Sequence, residues 1–84
     1  MKFINKSRYE VSVNANNLAK TVLLAPEQNV RYKNVNFRLI NIHSECGSSE
    51  IRLKNSLAFV KSYGNIVVNV EKINNEQVVI ITDI

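Results

Sequence analysis

Several residue types are scarce in this 84-residue chain, and each scarcity narrows the reading. The single cysteine, Cys46, excludes an intramolecular disulfide. No apolar run approaches the ~18 residues that a membrane helix needs, and MKFINKSRYEVSV at the start has no apolar core of a signal peptide. The expected setting is therefore cytoplasmic, with no membrane partner. Only two glycines and one proline occur, few for a chain with many turns. Those glycines, Gly47 and Gly64, stand alone, so there is no phosphate loop and no dinucleotide fingerprint. No cofactor and no small-molecule substrate are expected.

What is abundant points to β structure. Val and Ile number 20, against 10 for Leu and Ala; branched side chains are stiff at χ1 and pack well on a pleated surface. Asparagine, with 13 copies, takes the place of glycine between the apolar runs, as at Asn55 and Asn74-Asn75. Lys, Asn and Ile together make 29 residues. All three have AT-rich codons, which suggests a low-GC bacterium, a phage or another mobile element. At this length the chain forms one domain, 1–84, whose core is thin: roughly 60–65% of the unfolded surface is buried at such sizes.

The clearest local structure lies at 66–83. IVVNVEKI and EQVVIITD flank Asn74-Asn75, and asparagine accepts the positive φ of a two-residue hairpin turn. Ile73 then faces Glu76, Val70 faces Val79 and Val68 faces Ile81. Val68, Val70, Val79 and Ile81 form the inner face; Val67, Asn69, Glu71, Val78, Ile80 and Thr82 form a mixed outer one. Elsewhere, Tyr9–Ala15 alternates as a half-buried strand. Asn29–Lys33 places Val30 and Tyr32 inward. Val35–Ile42 carries Val35, Phe37 and Leu39 on one face and Arg38, Ile40 and Ile42 on the other. His43–Ser49 is expected as a loop, and Glu50–Lys54 as a strand with Ile51 and Leu53 inward. Two stretches are ambiguous. Residues 18–25 form either a helix capped by Asn17 or an edge strand leaving the sheet at Pro26. Residues 56–63 form either a short helix capped by Ser56 or a strand. The expected fold is an all-β antiparallel sandwich or partly open barrel of seven to nine short strands, ending in the hairpin 66–83. The alternative is α+β with a helix at 18–25 or 56–63.

No catalytic set is expected. His43, Ser44, Glu45 and Cys46 form the one polar cluster, and a Cys–His nucleophile has no corroborating third group. Zinc sites need paired Cys and His, and the chain has one of each. Asn5-Lys6-Ser7 is formally a glycosylation sequon. Two binding functions remain. Strands apolar on both faces predict a non-enzymatic module that contacts another protein or itself as a homo-oligomer, through Val67, Val78, Ile80, Ile40 and Ile42. The alternative is nucleic-acid binding. The first 42 residues hold seven Lys/Arg against two acids, while the rest hold four against five. Arg31, Lys33, Arg38, Arg52 and Lys54 are its expected contacts, whereas Tyr9, Tyr32 and Phe37 fall on apolar faces as core.

Overall fold

The computed structural model describes residues 1–16, 20–33 and 36–84. These residues form nine strands: β1 (Lys2–Asn5), β2 (Val11–Ala15), β3 (Val22–Leu24), β4 (Asn29–Arg31), β5 (Leu39–Ser44), β6 (Gly47–Lys54), β7 (Leu57–Gly64), β8 (Ile66–Ile73) and β9 (Glu76–Asp83). They form two facing sheets, ordered β4-β1-β9-β8 and β3-β2-β5-β6-β7. All pairings are antiparallel except β1 with β9, which run parallel. The fold is thus the expected all-β sandwich.

The C-terminal hairpin has the expected register, with Ile73 opposite Glu76, Val70 opposite Val79 and Val68 opposite Ile81. Asn74 and Asn75 both take positive φ, at 50° and 64°, the signature of a type I′ turn whose twist matches that of its strands. Asn55 and Ser56 repeat the device between β6 and β7, at 52° and 65°. Between β3 and β4, Pro26 is followed by Glu27 at φ 70°, and the Gln28 amide donates to the Ala25 carbonyl at 3.0 Å. That combination of proline and positive φ belongs to a type II turn.

Alternation then builds the core. Val11, Val13 and Ala15 from β2, Ile40 and Ile42 from β5, and Ile51 from β6 are buried against Phe3, Ile66, Val68, Val79 and Ile81 from the other sheet. Phe3, Tyr32 and Phe37 close one region of it, with ring centroids 5.6–6.1 Å apart and tilted or edge-on geometry, the arrangement that ring quadrupoles favour. Asn5 is the largest buried polar residue. Its amide donates to the carbonyls of Tyr9 at 2.8 Å and Leu24 at 2.9 Å, while its oxygen accepts from the Ser7 amide and hydroxyl at 2.9 and 2.6 Å. The sequon asparagine is therefore fully engaged inside the fold.

The open alternatives resolve as strands, and two expectations, the loop at His43–Ser49 and the faces of Val35–Ile42, are corrected. Residues 57–64 form strand β7, not a helix; the Asn55-Ser56 turn launches a hairpin where Ser56 was a possible cap. Within 18–25, Val22–Leu24 is the edge strand β3; Asn17, Leu18 and Ala19 lie outside the described residues, as do Asn34 and Val35. The segment expected as the loop His43–Ser49 is mostly strand. β5 runs on through Ser44 and β6 starts at Gly47, so Glu45-Cys46 is a tight turn. Polar residues on outward positions and a buried Ser44 and Ser49 gave that stretch the composition of a loop. In β5 the inward face is that of Ile40 and Ile42, while Leu39 faces out and Phe37 is buried just before the strand begins.

Candidate interaction surface

The sequence-based contact residues separate once placed. Ile40 and Ile42 are corrected: both are buried in the core, because they share the inward face of β5 with Val13 and Ile51 across the strands. They offer a partner no surface. Val67, Val78 and Ile80 lie together on the outward face of the four-stranded sheet. Val78 is only 4% accessible, flanked across the strands by Lys2 and Glu71. Val67 and Ile80 are half-buried.

The larger exposed apolar surface is elsewhere, on β7. Leu57, Phe59, Val60 and Tyr63 are 60%, 57%, 40% and 53% accessible. Among the described residues β7 pairs only with β6, so its other edge presents free backbone donors and acceptors to them. Its cross-strand partners fix the faces. Leu57, Phe59, Lys61 and Tyr63 lie opposite Lys54, Arg52, Glu50 and Ser48 on the outward face, whereas Ala58, Val60 and Ser62 lie opposite Leu53, Ile51 and Ser49 on the inward one. Val60 points inward yet remains exposed, which means that the four-stranded sheet leaves this position uncovered, although Ala58 packs against the core. Sequence reasoning missed this surface by leaving 56–63 undecided between helix and strand. The signal was present in Leu57, Phe59, Lys61 and Tyr63, which include three large apolar side chains at period two.

The other three edges differ. β3 and β4 have three residues each. β8 has eight but carries Asn69, Glu71 and Lys72. Shortness and charge are the usual defences of a sheet edge against pairing. β7 has eight residues, one charge, no proline and no bulge in its register.

The basic residues also separate. Arg31 is on β4 and pairs with Glu76 at 2.9 Å; Lys33 follows that strand, exposed. Arg38, Arg52 and Lys54 converge on a cleft of about 600 Å³, together with Asn36, Leu39 and Asn55. Arg52 reaches Glu50 at 2.7 Å, both exposed. Lys61 lies 5.6 Å from the centroid of the Tyr63 ring, and hydrogen bonding with Tyr63 holds its ammonium above the ordinary lysine value.

The polar cluster at 43–46 is divided by the sheet. His43 faces outward opposite Ser48, while Cys46 packs against the core, with its sulfur 3.0 Å from the Ser44 hydroxyl. The two do not form a nucleophile–base pair. Among the described residues no three His, Cys, Asp or Glu side chains converge as metal ligands, and no helix is long and apolar enough to cross a membrane.

No family model, no curated protein and no solved structure matches this chain.

Proposed function

We propose that the protein is a non-enzymatic interaction module that self-associates by pairing β7 with β7 of a second copy. The observation that carries this reading is the long, apolar, undefended edge of β7. Pairing would satisfy its free backbone groups and set apolar side chains of the two copies beside one another.

The strand is self-complementary. With Val60 on a two-fold axis, antiparallel pairing puts Phe59 opposite Lys61 of the second copy and Leu57 opposite Tyr63 of the second copy. No like charges meet, and an aromatic face meets a cation. The two five-stranded sheets would join into one continuous sheet, an isologous arrangement that closes at two copies. A free thiol at Cys46 suits a reducing compartment such as the cytoplasm, and the Lys, Asn and Ile bias suits a bacterial or phage source.

Sedimentation at high micromolar concentration tests the proposal. The wild-type chain is expected to sediment as a dimer. Val60→Lys, which places two ammonium groups opposite each other at the axis, is expected to give a folded monomer with an unchanged circular dichroism spectrum. A wild-type monomer overturns the proposal, including one that takes up a foreign extended peptide on β7; so does a Val60→Lys dimer.

A further inference from the structure

We infer that the outward face of β5–β7 is a binding surface for single-stranded nucleic acid, with Arg38, Arg52, Lys54 and Lys61 on the phosphates and Phe59 and Tyr63 stacking on bases. This surface is separate from the β7 backbone edge. It needs the outward side chains only and is present in one copy of the chain.

The argument begins with charge. The cleft at one end of this face is lined by Arg38, Arg52 and Lys54. No acidic residue pairs with Arg38 or Lys54 among the described residues; Arg52 reaches Glu50. The Arg52–Glu50 pair is exposed, and pairs of this kind are held so weakly that a phosphate can displace the carboxylate. Lys61 adds a fourth cation along β7, and Glu50 is the acid that lies among them. Asn55 lines the same cleft and supplies an amide for sugar or base edges.

The aromatics then choose among polyanions. Phe59 lies directly opposite Arg52, and Leu57 directly opposite Lys54, so the exposed apolar side chains begin where the basic cleft ends. Tyr63 lies four residues beyond Phe59 on the same face, about 13 Å along the strand at the usual rise. Lys61 sits between the two rings. An alternation of ring, cation and ring along one strand can hold two unstacked, non-adjacent bases with the intervening phosphates near Lys61. A flat sheet face with exposed aromatics and a basic border is how single strands are held without base-pair readout. Duplex nucleic acid exposes no base faces to such rings, and an acidic peptide does not carry an aromatic ring on every charged unit as a single strand does. The shared chemistry of DNA and RNA is what this face recognises.

Fluorescence anisotropy with labelled oligo-dT and oligo-U of about 15 nucleotides, within the site sizes of small β-barrel binders, provides the test. Binding is expected at about 50 mM salt and should weaken towards about 200 mM, with a log–log slope of about −2 to −3 for three or four phosphates on a single strand. Phe59→Ala and Tyr63→Ala should each weaken binding by roughly 5- to 150-fold and leave the salt slope unchanged. Arg38→Gln with Lys54→Gln should flatten the slope by about 1.4. All four positions are exposed, and circular dichroism checks that each variant folds. A stronger response to oligo-U than to oligo-dT, or the reverse, identifies which nucleic acid is preferred. The inference is overturned by no binding at low salt. It is also overturned if duplex DNA, heparin or polyglutamate binds as tightly as the oligonucleotides, or if both ring deletions leave affinity unchanged, since either result reduces the surface to bare polyanion attraction.

Discussion

The carboxamide of Asn5 ties three chain segments together. It reaches the end of β3 through the Leu24 carbonyl, the approach to β2 through Tyr9, and its own turn through Ser7. A buried polar atom left without a partner costs about 1–3 kcal/mol. Asn5→Ala deprives the Leu24 carbonyl and the Ser7 amide of this partner, while the Tyr9 carbonyl keeps the Ser7 hydroxyl at 3.0 Å, so its cost should be about 2–3 kcal/mol. At this chain length that lowers the thermal midpoint by more than about 10 °C, measurable by calorimetry; a shift of only a degree or two would show that water readily replaces the network. The buried role of Asn5 was not legible in the sequence. Asparagine occurs 13 times, and every described copy except Asn5 is exposed. The one that faces inward is distinguished only by which strands fold around it. Ile40 and Ile42 carry the same lesson in reverse. Their neighbours Phe37 and Leu39 suggested an apolar face on either side of the strand, and only the cross-strand contacts with Val13 and Ile51 decide that Ile40 and Ile42 face inward.

At the scale of elements, the β8–β9 hairpin was the most legible and the β5–β6 and β6–β7 hairpins the least. Period-two alternation and the Asn74-Asn75 pair were enough to fix the β8–β9 register residue by residue. The β6–β7 turn uses the same geometry but has Ser56 in a left-handed conformation at φ 65°, where a Cβ meets backbone and costs roughly 1–2 kcal/mol. Ser56→Gly should therefore stabilise the chain by about 1 kcal/mol, less the added freedom of glycine in the unfolded state. Urea denaturation should show a higher midpoint with an unchanged slope; a lower midpoint would mean that the Ser56 side chain contributes more than its strain costs. The edge of β7 was invisible in sequence because exposure depends on the span of the opposite sheet. Nothing within Leu57–Gly64 records that four strands face five.

Across the whole molecule, the two sheets are held by the core and, at the surface, by Arg8 and Asp83. Arg8 lies on the crossing from β1 to β2. Its side chain meets Asp83 at the end of β9 at 2.7 Å, and its backbone amide donates to the same carboxylate at 3.0 Å. The hydrogen bond from Arg8, with its charge, holds the Asp83 carboxyl below the ordinary value of 3.8. The folded state therefore binds the Asp83 proton less readily than the unfolded state does. The resulting stability is fully present above that ordinary value and is lost as pH falls through the depressed one. Asp83→Asn should lower stability at neutral pH and remove part of the fall below about pH 3.8. Urea midpoints measured from neutral to acid conditions check this; an unchanged acid limb would assign that fall to other carboxylates. The charge imbalance between the two halves of the sequence is partly neutralised where they meet: β4-β1 stand beside β9-β8 and β3-β2-β5 beside β6-β7, and Arg8 and Arg31 of the first half pair with Asp83 and Glu76 of the second. What survives is local, where Arg38 from the first half joins Arg52 and Lys54 from the second.

The parallel pair of β1 and β9 has a mechanical consequence. Lys2 enters the ladder beside Val78, and Asn5 leaves it beside Ile81. A force applied at Met1 and Ile84 pulls these two neighbours in opposite directions along their shared axis. The ladder is then loaded in shear, with its hydrogen bonds stretched together, whereas a hairpin pulled from its open end unzips one rung at a time. Tension on the chain ends meets this sandwich along its strongest direction.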